Sequence, residues 1–229
     1  QVAMWLIDHQ MNMIASLIFG EYMPRIPLRK SAEILNTNAL RVDWQEILRK
    51  KSPIENDERF HYILGNPPFL GKQYQNDSQK DDMALIFNQV NAYGVLDYVC
   101  AWYLKAAQYI EKFSTANDPI LPRTKVAFVS TNSISQGEQV SVLWSVLLNN
   151  YHIKIHFAHR TFKWSNEAKG NAAVHCVIIG FSNYDIGDKV LIDYESVDNE
   201  PQAVKVKNIN PYLIDARNVL ISSRKKPIC

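Results

Sequence analysis

The residues best equipped for chemistry stand at positions 63–69, Ile-Leu-Gly-Asn-Pro-Pro-Phe. The run FHYIL at 60–64 is aromatic and apolar, ends at Gly65 and reads as a buried strand. A stiff tetrapeptide comes next. In an open α/β sheet, ligands bind beyond the carboxyl ends of the strands, which is where such a bend sits. Pro67 and Pro68 fix φ and remove two backbone donors. Asn66 is thereby held on a rigid bend with its side-chain carbonyl free to accept a hydrogen bond. The Pro67 carbonyl is a second acceptor, and Phe69 adds an aromatic face. Two acceptors and a ring suit a planar base that bears an amine. Holding both N–H bonds draws the nitrogen lone pair out of conjugation and toward an electrophile. The positive charge that develops is stabilised by preorganised carbonyl dipoles, the mirror image of an oxyanion hole, and no general-base carboxylate is required. The plainer reading is a proline-rich turn that closes a strand, with Asn66 capping backbone.

The elements that must position this bend emerge from apolar spacing. Residues 2–18 carry apolar side chains at intervals of three and four and predict a helix, with Gly20 as its stop. Pro24 and Pro27 mark an irregular connection. A short strand is expected at 38–40, a polar loop at 50–59, and a polar, mobile segment at 71–82. Helices are expected over 95–113 and 139–148. Further strands are expected at 125–130 (KVAFVS), 153–158 (IKIHFA) and 174–181 (VHCVIIGF). Strands separated by helices imply an α/β fold with a parallel sheet. Only a short polar loop separates the last two strands, which favours an antiparallel hairpin there. Character changes after Asn183, and the end of the core is placed at that point.

At 229 residues and 47% hydrophobic, the chain is ample for one domain and thin for two. A net charge of +2 and a pI of about 8.4 neither demand nor exclude nucleic acid. Cys100, Cys176 and Cys229 form no CxxC pair and fit a reducing cytoplasm better than a disulfide scaffold. No apolar run approaches the roughly 20 residues of a membrane span, so no membrane association is expected, and no signal peptide opens the chain. The six histidines lack zinc-site spacing, and no metal is expected. Ser133 and Ser135 stand in no visible hydrolase signature. Both ends read as cuts through a larger polypeptide.

Asn66-Pro67-Pro68-Phe69 resembles the (D/N/S)PP(Y/F) motif of amino-methyltransferases. The surrounding phrases resemble the adenine methyltransferase region of the MmeI family, single-chain restriction–modification enzymes of bacteria. They are WLIDHQMN (5–12), NALRVDW (38–44), YILGNPPF (62–69), STNSISQGEQV (130–140), FAHRTFKW (157–164) and AAVHCVIIGF (172–181). They span nearly the whole chain in the family's order.

The resemblance implies a Rossmann-like class I methyltransferase sheet with an antiparallel C-terminal hairpin, truncated at the N-terminus so that its first strands are missing. Residues 1–183 would be the catalytic core and 184–229 a connection toward a downstream target-recognition domain. The implied reaction is methyl transfer from S-adenosylmethionine to adenine N6 of duplex DNA in the bacterial cytoplasm. The implied partners are DNA with a flipped-out adenine and the upstream and downstream domains of the same polypeptide. Asn66 and Pro67 would hold the amine, with Pro68 completing the motif, and Phe69 would stack on the adenine, which must leave the duplex to be reached. Phe162, or alternatively Trp164, would face the base from the last two strands. Asn38 and Ala39, with Asp43 as a nearby acidic candidate and Asn66, would contact the cofactor. Asn38 departs from the Asp that many relatives use. Lys72, Arg160 and Lys163 flank the pocket as phosphate contacts.

One departure is larger. No Gly-x-Gly occurs anywhere in the sequence, so the loop that cradles the methionine part of the cofactor is lacking. The fragment alone is expected to bind S-adenosylmethionine poorly or not at all, and to be inactive. The rival expectations are a methyltransferase acting on protein glutamine or RNA, and a non-catalytic DNA-binding piece of the same fold.

Overall fold

A computed structural model of the chain describes residues 2–21, 34–49, 59–113, 123–164, 174–194 and 201–222. The chain divides into two compact units, residues 1–38 and 39–229. The first unit contains α1 (Val2–Phe19), the helix expected from its spacing. Gly20 comes after it with φ of +67°, the left-handed stop that glycine takes without strain.

The second unit is built on a six-stranded mixed sheet. In chain order the strands are β1 (Tyr62–Gly65), β2 (Lys125–Thr131), β3 (Lys154–Trp164), β4 (Val174–Ser182), β5 (Lys189–Asp193) and β6 (Gln202–Val206). Their spatial order is β1-β2-β4-β3-β5-β6. β1 runs parallel to β2, β4 is antiparallel to both β2 and β3, β5 is parallel to β3, and β6 is antiparallel to β5. The carboxyl ends of β1, β2, β3 and β5 therefore share one rim. The expected pairing of the last two core strands is present: Phe162 stands opposite Cys176 and Ala158 opposite Ile179.

One face of this sheet carries α4 (Cys100–Glu111) and α5 (Glu138–Asn149). Tyr103 of α4 stacks on Phe181 at 5.3 Å and meets Phe128 and Trp144 edge-on. All four rings are almost fully buried. The Tyr103 hydroxyl reaches Ser130 at 2.7 Å, so the polar end of this large ring is satisfied where it is buried. Phe157 belongs to the other face, where its ring lies directly over Gly180.

Several expectations need correction. β1 is not a buried strand: it stands at the sheet edge, and Tyr62 and Leu64 are exposed. Residues 38–40 form no strand; the chain turns there. Side chains take the backbone acceptors a strand partner would need: Trp44 Nε1 donates to Ala39 O, and Lys105 Nζ donates to both Leu40 O and Val42 O. The polar segment 71–82 is ordered, holding a 3₁₀ turn at Lys72–Tyr74 and helix α3 (Asp77–Ile86). A reciprocal capping box between Asn76 and Gln79 starts α3. The helix expected from residue 95 begins at Cys100, because 93–95 are a 3₁₀ turn and Asp97 is engaged elsewhere. The sheet also continues past 183, where the core was expected to end, since β5 pairs with β3 and β6 with β5. A short helix, α2 (Trp44–Arg49), was not foreseen. The Pro24–Pro27 connection, most of the 50–59 loop and the loop joining β3 to β4 lie outside the described residues.

Candidate functional site

β1 delivers the Asn66–Phe69 bend to the carboxyl rim of the sheet. Gly65, the last residue of β1, pairs with Phe128, and a Cβ on Gly65 would stand 3.3 Å from that ring. The bend leaves the sheet at once. Pro67 is buried and anchors it, Phe69 is half-buried, and Asn66 and Pro68 are exposed. Neither the Asn66 carboxamide nor the Pro67 carbonyl accepts a hydrogen bond among the described residues. The two acceptors singled out in the sequence are thus free at a strand end, and Asn66 does not cap backbone.

The chain beyond the bend is fastened at several points. Tyr98 N donates to Leu70 O at 2.9 Å. Lys72 N donates to Asp97 Oδ1 at 3.2 Å, and Ser133 Oγ donates to Asp97 Oδ2 at 2.6 Å. Ser133 lies just past the end of β2, and its hydroxyl also meets Thr131 Oγ1 at 2.8 Å. Asp97 N donates to Gln139 Oε1 of α5 at 3.0 Å. Tyr98 is anchored in turn by its hydroxyl on Asp82 Oδ2, whose other oxygen accepts from Arg41 Nε.

Further along the rim, β3 carries a second aromatic group. Its pairing with β4 shifts register between His159 and Phe162, and such bulges re-aim side chains near functional sites. Phe162 is half-buried and packs against Tyr194 at 5.2 Å, just after β5. His159 Nδ1 lies 2.6 Å from the Tyr194 hydroxyl. Burial holds the His159 imidazole below the ordinary histidine range and pushes the Tyr194 phenol up. His159 and Tyr194 as partners of Phe162 were missed in the sequence, because their pairing spans 35 residues.

Phe69 and Phe162 share the rim but lie apart along it. Three strand spacings, about 14 Å, separate β1 from β3. Trp164 pairs with Val174 in the ladder; its side chain lies outside the described residues.

Two of the three expected phosphate contacts already have partners. Lys72 Nζ is paired with Glu138 Oε1 at 2.8 Å, and Arg160 with Asp193. Lys163 is exposed and forms no ion pair among the described residues.

The residues expected to meet a cofactor are mostly occupied as well. Asn38 closes the first unit and Ala39 opens the second. Ala39 gives its carbonyl to Trp44. Asp43 Oδ1 accepts from Gln45 N at 2.9 Å, and Oδ2 faces Lys112 Nζ at 3.4 Å. The Gln45 hydrogen bond, helped by Lys112, holds the Asp43 carboxyl below the usual carboxylate range. Residues 40–44 line a cleft of about 290 Å³ together with Lys105, Gln108, Tyr109 and Lys112 of the α4 region. Burial lowers the Lys105 ammonium from the usual lysine range, and Lys105 lies over the Trp44 ring.

A family model for the DNA-methyltransferase domain of MmeI matches residues 1–193. DNA methyltransferase A of Bacillus subtilis (strain 168) is 42% identical over 229 residues, which is all of this chain and 24% of that protein. The Type IIL restriction–modification enzyme MmeI, solved in complex with DNA, is 52% identical with a TM-score of 0.79, covering 100% of this chain and 28% of its own. The chain thus spans between a quarter and a third of the solved relative's length and slightly less of the curated one.

Proposed function

The chain belongs to the MmeI DNA-methyltransferase family, and on that premise we propose that it grips the target amine in a DNA adenine-N6 methyltransferase of a restriction–modification enzyme. The sheet is read as the Rossmann-like class I methyltransferase sheet with its antiparallel hairpin, and the catalytic core as running past residue 183 to include β5 and β6 before it leads on to target recognition. The observation that carries this reading is the Asn66–Phe69 bend: two unengaged carbonyl acceptors and a half-buried ring at the carboxyl end of a strand. That geometry can take both hydrogens of an exocyclic amine and present its lone pair to an electrophile. As positive charge grows on nitrogen, the Asn66 and Pro67 carbonyls stabilise it with little movement, because the prolines restrict the backbone of the bend beforehand. Phe69 offers its face to a base that has left the duplex. Phe162, seated on Tyr194, is read as a second aromatic face further along the same rim. Lys163 is the phosphate contact with its charge free, and Lys72 and Arg160 serve phosphates only by exchanging a carboxylate for them.

The methyl donor in this reading is S-adenosylmethionine. The described residues do not assemble a cradle for it: the Ala39 carbonyl and the Asp43 carboxylate are taken within the chain, and Asn66 is the polar group left open. The chemistry assigned to this chain is therefore that of the amine.

Replacement of Asn66 by alanine in the full-length protein tests the reading. Methyl transfer to duplex DNA is expected to fall by about 10²–10³-fold, the scale of losing one preorganised hydrogen-bonding group in such a site, while DNA affinity stays within a few-fold. Unchanged transfer would favour a non-catalytic role for this fold. Transfer to a glutamine peptide or to RNA in place of DNA would favour the other rival.

A further inference from the structure

We propose that Asp97 is a positioning residue for the Asn66–Phe69 bend, a role that rests on reading the bend as the amine-holding site. Asn66 and Pro67 must keep their carbonyls in place, yet β1 ends at Gly65 and no strand pairing holds the residues beyond it. The prolines restrict the backbone inside the bend. They do not fix where it points, which depends on how its far end is tied down.

Asp97 and Tyr98 do this from one corner. The Tyr98 amide donates to Leu70 O, and the Asp97 carboxylate accepts from Lys72 N. These two bonds clasp the chain one and three residues beyond Phe69. The second carboxylate oxygen accepts from Ser133 Oγ, whose hydroxyl meets Thr131 at the last position of β2. The Asp97 amide is held by Gln139 at the start of α5. The far end of the bend is thus referenced to the tip of the neighbouring parallel strand and to the helix behind it. Asp97 is the one residue among these that touches all three parts. A carboxylate suits the position because its two oxygens accept from two donors on different elements at once.

The test uses the full-length protein with Asp97→Ala, Asp97→Asn and, for comparison, Tyr98→Phe, which removes the hydroxyl bond to Asp82 and leaves the rim contacts intact. Asp97→Ala is expected to lower kcat for DNA methylation by about tenfold to a hundredfold, the penalty of displacing a reacting group by about an ångström. KM for DNA should change less than about threefold. Asp97→Asn keeps an acceptor for Lys72 N and should recover most of the rate. Hydrogen exchange at residues 69–72 should quicken in Asp97→Ala and stay close to wild type in Asp97→Asn. An unchanged kcat in Asp97→Ala would overturn the proposal. So would a rate loss that merely tracks lost thermal stability as in Tyr98→Phe, or an Asp97→Asn as slow as Asp97→Ala. If wild-type protein methylates no DNA amine, the reading of the site fails instead. The exchange at 69–72 then still shows whether Asp97 holds the bend.

Discussion

Asn66 and Phe162 reach the rim by different routes, and their legibility in the sequence differs accordingly. Asn66 is specified locally, by an apolar strand that stops at a glycine and two prolines that leave the chain few conformations. The role proposed for it is readable from seven consecutive residues, and its carboxamide has no partner among the described residues. Phe162 depends on neighbours far along the chain. Its orientation comes from the β3 irregularity and from Tyr194, itself bonded to His159. No local pattern announces such a contact. The same applies to Asp97, whose partners lie 25 and 36 residues away. Phe162→Ala is expected to weaken capture of the extruded base by about 1–3 kcal/mol, the scale of one aromatic stack. With 2-aminopurine at the target adenine, the fluorescence gain on binding the full-length protein should drop, with little change in affinity for DNA lacking the site. A full fluorescence gain in the variant would place the base elsewhere.

Among the elements, those with strong apolar periodicity are legible and those held by side-chain hydrogen bonds are not. β2, β4, α1 and α5 appear within a residue or two of expectation. Helix α3 reads as a mobile segment in the sequence because only a few of its residues are apolar and buried. Its signal is the Asn76–Gln79 capping box rather than a hydrophobic stripe. The turn at 39–42 reads as a strand because Leu40 is apolar and buried, whereas side-chain donors from Trp44 and Lys105 claim its carbonyls. The hairpin also contains a packing constraint that tests the register of β3 on β4. A Cβ on Gly180 would fall 2.0 Å from Phe157 Cε1. Gly180→Ala should therefore destabilise the fold by about 1–3 kcal/mol, the usual cost of overpacking, seen as an earlier denaturant midpoint. Adding Phe157→Ala should restore part of the loss. Additive destabilisation would mean the ring does not lie over Gly180.

For the molecule as a whole, the sheet's parallel strands direct their carboxyl ends to one rim, and the residues proposed for the site and their supports collect along it: the bend after β1, Ser133 after β2, Phe162 late in β3 and Tyr194 after β5. The sequence does not disclose that β5 and β6 extend this rim, since each strand is only five residues long and β6 is largely exposed. The central claim is that the rim holds the amine of an adenine. The most direct measurement is mass spectrometry of nucleosides from duplex DNA treated with the full-length protein and S-adenosylmethionine. The account predicts N6-methyladenine as the product with wild-type protein and almost none with Asn66→Ala. Methylation at a ring carbon, or equal N6-methyladenine from both proteins, would contradict it.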